Sequence, residues 1–199
     1  METVPMKHSI LKLLTTVVLF ICFAIPVQAT PENYTLDPNH TYVLWHIDHF
    51  GFSNPSGKWM AKGTLVLDET KPQNSKLNVT IDVSTIVTGI SELDKHLQTE
   101  DFFDVKQFPT ATYNSNKIVI TGKKSANVFG VLKMHGISKP IVLNVKLNKI
   151  GLNIITNKKT AGFSATLTLK RSDFNLTTLL PGLSDEVKLN IEAEATLDN

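Results

Sequence analysis

The sequence predicts an all-β protein whose strands close into an antiparallel β-barrel of about eight strands. Apolar and polar residues alternate along most of the chain after residue 30, most clearly at 187–197, where the odd positions are apolar. Only a strand with one buried and one solvated face needs this pattern. The alternating segments follow one another closely, which favours antiparallel neighbours over crossover helices. A two-sheet sandwich fits the same pattern, but a closed barrel also removes exposed strand edges.

The individual strands are predicted from this alternation and from the turn signals between them. Glycine, proline and asparagine cluster at residues 54–57, 71–74 and 136–140, where we expect the chain to turn. No internal repeat or linker interrupts the series, so a single domain is predicted. In chain order the predicted strands are 41–47, 59–67, 77–83, 110–113, 118–121, 126–134, 141–147, 161–169 and 187–197.

Two segments depart from the strand pattern. Residues 91–99 are predicted to form a short helix, with Ser91 as its N-cap and Asp94 three residues later. Residues 172–183 are apolar but have no regular period, and they end in a proline and a glycine before the last strand. We expect them to form a loop or a short helix folded over one end of the barrel.

The first 29 residues have the three-part layout of a secretory signal peptide. Basic residues precede an apolar run at 11–25, and Ala29 ends a tripeptide with small residues where a signal peptidase reads. The run of about fifteen residues is shorter than the roughly 20 that a membrane-spanning helix needs. We therefore expect residues 1–29 to be removed and residues 30–199 to form the exported domain, without stable insertion in a membrane.

The exported domain has a small net charge and no cysteine. The only cysteine, Cys22, lies in the apolar run, so no disulfide is available and the core must stabilise the fold. A domain of 170 residues is long enough for such a core. Removing residues 1–29 lowers the formal net charge from +2 to +1, and no basic stripe is recognised. Nucleic-acid binding is therefore excluded.

The inward faces of the predicted strands are rich in small residues. A barrel of about eight strands is filled by its own side chains, or holds one small ligand if they are small. A packed barrel with alternating small and large residues fits the same pattern, but the number of small residues favours a cavity. The small residues assigned inward are Ala61, Gly63, Ala126, Gly130, Ala161, Ala165, Ala193 and Ala195.

Nine aromatic residues are predicted to form the wall and mouth of an apolar tunnel in this interior. Each of them also fits an ordinary core position, because aromatic side chains dominate core burial. Their role as ligand contacts therefore depends on the cavity. The nine residues are Trp45, Phe50, Phe52, Trp59, Phe102, Phe103, Phe129, Phe163 and Phe174.

Three histidines close together in the sequence raise the question of a metal site. In an extended strand His40 and His46 share a face, while His49 points elsewhere. No carboxylate or cysteine completes a recognisable zinc or iron spacing. No metal site is therefore predicted.

Two further polar groups are candidates for chemistry. Asp94 and His96 lie on the short helix, but neighbouring residues of a helix diverge by about 100° each and do not converge on one point. Arg171 either pairs with Asp173 to pin the turn or meets a phosphate or carbonyl at the barrel mouth. The sequence has no nucleophile elbow of the form G-x-S-x-G and no glycine-rich phosphate loop. No catalytic centre is predicted.

Four longer segments carry a family resemblance. They are YTLDPNHTYVLWHIDHFGFSNPSGKW from residue 34, LDKHLQTEDFFDVKQFPTATY from 93, GVLKMHGISKPIVLNVKL from 130 and AGFSATLTLKRSDFNL from 161. Together and in this order, they resemble the YceI-like family of periplasmic polyisoprenoid-binding proteins. The combination of DFFD…FPTA, GISKP and KRSDF is specific. Asn175 stands where the family more often has glycine, which affects only the expected turn geometry.

The resemblance implies a lipocalin-like antiparallel barrel whose elongated pore takes an isoprenoid chain, such as a polyprenyl phosphate or an isoprenoid quinone. It also implies a periplasmic location and no metal, prosthetic group or other cofactor. Relatives are linked to other amphiphiles, so the ligand is less specific than the fold. The polar residues expected to meet a head group at the mouth are His46, His49, Asp94, His96 and Arg171.

Three functions are compatible with these observations. A carrier or scavenger of a long-chain lipid, without catalysis, predicts a continuous apolar lumen. An enzyme acting on a periplasmic lipid or quinone predicts convergent polar groups deep in the cavity and a strongly perturbed pKa. A packed-barrel interaction or stress protein predicts an exposed apolar patch instead of a cavity. The sequence favours the carrier, and it leaves open whether the barrel forms a homodimer.

Overall fold

The computed structural model describes residues 1–2 and 30–198, so the predicted signal peptide lies almost wholly outside the described residues. None of the helices in the described part is long and apolar enough to cross a membrane. One α-helix, α1 (Ser91–Leu97), and three short 3-10 turns (Pro72–Asn74, Val83–Thr85 and Arg171–Phe174) accompany the strands. The strands are β1 (Glu32–Leu36), β2 (Tyr42–His49), β3 (Ser56–Leu67), β4 (Lys76–Asp82), β5 (Thr110–Gly122), β6 (Ser125–Met134), β7 (Ile137–Leu152), β8 (Lys159–Lys170) and β9 (Leu183–Leu197).

These strands form one antiparallel sheet in the order β1-β3-β2-β9-β8-β7-β6-β5-β4. A ladder between β3 and β4, from the pair Ala61 and Ile81 to the pair Val66 and Lys76, closes the sheet on itself. β1 and β2 share one position, because each pairs with β3 on one side and with β9 on the other. The wall therefore has eight strand positions, and the predicted all-β antiparallel barrel of about eight strands is confirmed.

Residues 37–41 separate β1 from β2 without opening the barrel wall. The Asp37 N–H donates to the Glu194 carbonyl over 2.8 Å, and the Ala61 N–H donates to the Thr41 carbonyl over 2.9 Å. The Thr41 hydroxyl donates to the Glu194 carbonyl as well, over 3.2 Å. These backbone groups thus keep hydrogen-bond partners, as buried backbone requires.

The two ends of the barrel are built differently. At the helix end, defined by residues 83–109 and 171–182, α1 and two long connections cover the barrel, and Ile86 and Leu97 are buried against it. The predicted loop at 172–183 forms part of this cover. At the turn end the strands are joined by short connections at 68–75, 123–124 and 153–158.

β7 begins earlier than predicted and passes through Pro140. His135 and Gly136 have φ angles of 50° and 75° and form a two-residue turn between β6 and β7, the conformation that such hairpins favour. The break predicted at 136–140 therefore exists, but it is shorter and begins one residue earlier than predicted. β7 pairs with β8 only from Asn144 onward, so Pro140 has a strand partner on one side alone, where a proline is tolerated.

Three other boundaries also differ from the prediction. β1 is not predicted, because a strand of five residues offers too short an alternation. The predicted strands 110–113 and 118–121 are two parts of the single strand β5, which contains a bulge between them. The N-cap of α1 is Ile90 rather than Ser91, and no side chain caps the helix.

Asp37 and His40 form an ion pair at the interruption between β1 and β2. The His40 Nδ1 lies 2.7 Å from the Asp37 Oδ2. Hydrogen bonding to Asp37, together with the charges of Asp37 and Glu194, raises the pKa of His40 above 6.5, and the same hydrogen bond lowers the pKa of Asp37. The His40 contribution to stability is therefore lost as pH rises through its raised pKa, and the Asp37 contribution is lost as pH falls through its lowered pKa.

We expect an NMR titration of the His40 ring to give a pKa above 6.5, and the substitution Asp37→Asn to move this pKa back towards 6.5. The control Asp48→Asn removes an exposed carboxylate near the helix end and should leave the His40 pKa unchanged. A His40 pKa that does not respond to Asp37→Asn would show that the pair does not form in solution.

Candidate functional site

The barrel interior contains a cavity of about 870 Å³, in the upper part of the range that ligand pockets occupy. Its lining on β9 runs from Leu183 to Ala193, which is about 33 Å along the strand. The lining reaches exposed residues at both ends, His49 at the helix end and Lys123 at the turn end. The prediction of a cavity in place of a packed interior is confirmed.

The middle of the cavity is apolar. Its wall there consists mainly of aliphatic side chains, and the hydroxyl-bearing residues Thr41 and Tyr113 already have protein partners. The Tyr113 hydroxyl donates to the Val128 carbonyl over 2.9 Å, and burial raises the pKa of Tyr113 to about 12. These hydroxyls therefore neither attract an ion nor act as acids or bases near neutral pH. The aliphatic residues of the central wall include Val43, Leu65, Val79, Val128, Leu143, Leu167, Leu189 and Ile191.

Several inward side chains are only half-buried, as a hollow interior requires. Leu167 and Leu169 on β8 and Leu189 and Ile191 on β9 all line the cavity, yet none of them is fully removed from solvent. In a packed barrel such central leucines would each contact several neighbours. Here they leave apolar surface free for a ligand.

The small residues predicted to create the cavity do so only in part. Ala61, Ala126, Ala165 and Ala193 line it, whereas Ala161 and Ala195 are fully buried in a cluster with Tyr34 and Leu36 and do not line it. The two glycines serve close packing. A Cβ on Gly130 would lie 2.6 Å from the Tyr113 ring, and one on Gly63 would collide with the Asn78 carbonyl oxygen across the β3–β4 ladder.

Tryptophans and a phenylalanine close the cavity towards the helix end. The ring centroids of Trp45 and Trp59 are 6.4 Å apart, and Phe103 packs edge-on against Trp59 at 5.1 Å. The Trp59 Nε1 donates to the Val83 carbonyl over 3.0 Å and so ties the wall to the covering segment. Among the described residues, the buried Trp45 Nε1 has no hydrogen-bond partner.

Four of the nine predicted aromatic residues do not line the cavity. Trp45, Trp59, Phe102, Phe103 and Phe163 do. Phe50 and Phe52 lie in the exposed hairpin between β2 and β3, with Phe52 89% exposed. Phe129 points outward beneath the Lys117 ammonium, because its neighbours on β6 take the inward positions. Phe174 is the last residue of the third 3-10 turn and is buried in the core. For these four a position in the cavity wall is wrong, and ligand contact by the other five stays a prediction.

The five predicted head-group residues occupy different environments. His49 and His96 line the cavity at the helix end. His46 points to the outer face of β2, since Trp45 and Ile47 point inward. Asp94 binds a neighbouring segment of the protein, because its Oδ1 accepts hydrogen bonds from the N–H and the hydroxyl of Thr88 at 2.7 and 2.6 Å.

Arg171 borders the cavity, but its guanidinium is used within the protein. The residue is only 5% exposed, and the guanidinium does not pair with Asp173, which lies 3.7 Å from Lys139 instead. Burial lowers the pKa of Arg171. Its four hydrogen bonds, of 2.7 to 2.9 Å, go to the carbonyls of Leu176, Thr178, Leu183 and Ser184. Arg171 therefore holds the loop of the helix end in place.

The three histidines at residues 40–49 do not form one group, and His40 belongs to a different one. His40 lies with Asp37 and Glu194, whose potential ligand atoms are all within 4.8 Å of one another. This group lies on the outer surface at the β1–β2 interruption, away from the cavity, and His40 already hydrogen-bonds to Asp37. The sequence spacing alone does not bring Glu194 to His40.

The structure also brings polar residues to the turn end that the sequence analysis does not single out. Lys123 and Lys124 in the β5–β6 turn line the cavity there, together with Glu69. Glu69 and Glu32 both contact the Lys159 ammonium at 2.6 Å. The sequence signal that could have identified this end is the pair Lys123 and Lys124 between two predicted strands.

Charge is distributed unevenly over the barrel, so the absence of a basic stripe is a wrong prediction. Residues 105–172, which contain β5 to β8, hold eleven lysines and Arg171 but no aspartate or glutamate. Residues 91–104 at the helix end hold five carboxylates and one lysine. The small net charge conceals this separation.

Comparison with known proteins agrees with the fold. A family model described as a YceI-like domain matches residues 34–195. The chain belongs to the YceI-like family. Protein YceI of Salmonella arizonae is 36% identical over 170 residues, which cover 84% of this chain and 88% of that protein.

Solved structures show the same YceI-like barrel. BcnA of Burkholderia cenocepacia superposes with a TM-score of 0.71 at 25% identity, covering 81% of this chain and 99% of that one. A polyisoprenoid-binding domain from Saccharophagus degradans has a TM-score of 0.65 and covers 83% of this chain and 98% of that one. At 13% identity, this second likeness bears on the fold alone.

We expect Arg171→Met to lower the free energy of unfolding by about 3 kcal/mol, because it leaves buried carbonyls without their charged donor. Arg171→Lys should be intermediate, since an ammonium lacks the planar fork. Urea unfolding measures both variants, with the exposed neighbour substitution Lys170→Met as the control. A loss in Arg171→Met no larger than in Lys170→Met would contradict the anchoring role.

Proposed function

We propose that this YceI-like barrel binds one long-chain amphiphilic lipid, a polyisoprenoid, in its cavity and acts as a periplasmic carrier or scavenger. The observation that carries the proposal is the continuous apolar cavity along the barrel, with polar side chains concentrated at its two ends. An amphiphile has the complementary arrangement, a long apolar chain and a terminal polar group. The domain from Saccharophagus degradans is a polyisoprenoid-binding domain with this fold, so the fold is compatible with such a ligand.

The energetics favour a chain-like ligand. At about 0.8 kcal/mol per buried methylene-sized group, a five-carbon isoprene unit contributes about 4 kcal/mol. About three or four buried units offset the roughly 4–15 kcal/mol that immobilising a ligand costs. Half-buried inward side chains such as Leu189 supply the contacts. Specificity for chain length is expected to be modest, because apolar walls distinguish hydrocarbons by only about 1–3 kcal/mol per methylene.

The cavity chemistry favours binding over catalysis. An enzyme acting on the lipid needs an acid, base or nucleophile close to the reacting group. In the described part of the cavity, the titratable side chains lie towards the ends, apart from Tyr113, whose pKa is raised to about 12. A cavity of this size likewise argues against the alternative of a packed barrel that acts only through its surface, as an interaction or stress protein would.

The periplasm is the compartment that fits the sequence. The layout of residues 1–29 is that of a cleaved signal peptide. Residues 30–199 contain no cysteine, so an oxidising compartment leaves the domain chemically unchanged. A barrel that encloses its ligand would allow an insoluble chain to cross an aqueous space.

Native mass spectrometry of protein purified from its own periplasm tests the proposal directly. We expect one lipid per barrel, which solvent extraction should release as a polyprenyl or isoprenoid-quinone species. Protein that is empty when isolated, and that stays empty after incubation with such lipids, would contradict it.

Filling the cavity should abolish binding while keeping the barrel folded. We expect Ala193→Phe, which places a ring in the lumen from β9, to lower the fraction of lipid-bound protein at least about tenfold, since several methylene contacts are lost. The control Asn190→Phe places the same ring on the outer face of β9 and should retain the lipid. Equal occupancy in both variants would place the ligand outside the cavity.

A further inference from the structure

The turn end of the barrel presents two isoleucines to solvent. Ile154 and Ile155, at the tip of the β7–β8 loop, are each 90% exposed, and Leu152 beside them is 59% exposed. Hydrogen bonds hold the loop in this shape, because the Asn153 side chain accepts from the Ile155 N–H and the Asn153 N–H donates to the Lys158 carbonyl. The loop thus presents apolar side chains that contribute nothing to the core.

Four lysines lie at the same end of the barrel as these isoleucines. Lys149 and Lys158 flank the β7–β8 loop, whereas Lys123 and Lys124 occupy the β5–β6 turn, level with Leu147 of β7. Within the described residues, no carboxylate lies within ion-pair distance of these four lysines, whereas Lys159 is engaged by two glutamates. The Lys124 ammonium donates to the Asn148 carbonyl over 3.3 Å, and all four ammonium groups keep a positive charge that can meet an external anion.

The cavity also opens among these residues. Ile120, Lys123 and Lys124 line the cavity and are exposed at the same time. The apolar loop tip, the lysines and one mouth of the cavity thus lie at one end of the molecule. The carboxylate-rich segment 91–104 lies at the opposite end.

We propose that the turn end docks on an anionic lipid bilayer, with Ile154 and Ile155 inserted at the interface and the lysines of the turn end facing the lipid phosphates. Apolar side chains flanked by cationic ones are the combination that binds peripherally to such membranes. The acidic helix end would be repelled by the same surface, so the barrel approaches with its turn end first. Docking holds this cavity mouth at the bilayer, where a lipid can pass into the lumen. That last step rests on the proposed function, but docking itself does not.

A protein partner fits this surface less well than a bilayer does. A stable protein interface needs about 800 Å² on each side, and a loop tip with three exposed aliphatic residues provides much less. A second copy of the chain would bring lysines against lysines, which is unfavourable. Charge complementarity and the small apolar tip together favour the bilayer.

Sedimentation with lipid vesicles tests the proposal on the chain from Thr30 to Asn199, which contains every strand of the closed barrel. We expect it to bind phosphatidylethanolamine–phosphatidylglycerol vesicles and to bind neutral phosphatidylcholine vesicles weakly. The double substitution Ile154→Ser and Ile155→Ser should lower the vesicle partition coefficient about tenfold or more. Lys123→Gln with Lys158→Gln should lower it about tenfold and reduce its salt dependence.

Matched controls lie elsewhere on the same barrel. Phe52→Ser removes an apolar side chain of similar exposure from the helix end, and Lys62→Gln with Lys188→Gln removes two exposed lysines from β3 and β9. Both controls should sediment with anionic vesicles as the unmodified protein does. Equal losses in the control and test variants, or no preference for anionic vesicles, would overturn the docking surface.

Two further measurements separate the alternatives. A dimer in analytical ultracentrifugation that Ile154→Ser with Ile155→Ser dissociates would assign the loop tip to a second copy and overturn the proposal. Native mass spectrometry of the same samples reports whether a lipid is bound in the cavity. Vesicle binding by barrels that never hold a lipid would support docking and refute the proposed function, whereas lipid-filled barrels that ignore vesicles would refute docking alone.

Discussion

The ladder between β3 and β4 closes the barrel, and the cavity depends on this closure. A hollow barrel has few side-chain contacts across its interior, so backbone hydrogen bonds must hold the wall together. Gly63 permits the ladder, because any side chain there would collide with the Asn78 carbonyl of β4. Closure also fixes the register, and a shift of one residue would turn the apolar face of a strand from the lumen to the solvent.

The two ends of this wall have different physical roles. At the helix end, the tryptophan pair packs against α1, and the Arg171 guanidinium binds four carbonyls of the following loop and of the start of β9. At the turn end, short connections leave the mouth bordered by exposed charged side chains such as Lys123. A covered, acidic end and an open, basic end are thus joined by one apolar channel.

Alternation predicts most of the wall because each strand has one face towards solvent and one towards the lumen. The same alternation determines which residues of a strand point inward and which point outward. Placing Ala126 and Gly130 inward requires Phe129 to point outward, and an inward Trp45 requires an outward His46, as the structure shows. What alternation cannot predict is contact outside the strand ladders. The four carbonyls around Arg171 come from the irregular stretch that follows it and from the start of β9, and the lysines of the turn end come from two neighbouring hairpins. β1 is not predicted, because it is a strand through its pairing with β3 and β9 and its alternation is too short to indicate one.

The half-buried leucines of β8 and β9 make the stability of this fold depend on what the barrel contains. In the empty state they face solvent or void, and the dispersion contacts that a packed core would supply are missing. A ligand that binds only the folded barrel supplies those contacts and shifts the folding equilibrium by mass action. Folding stability and cargo content are then thermodynamically linked. Under the proposed function, a barrel without its lipid would be the form most open to unfolding and proteolysis, and this would couple release of the lipid to turnover of the protein.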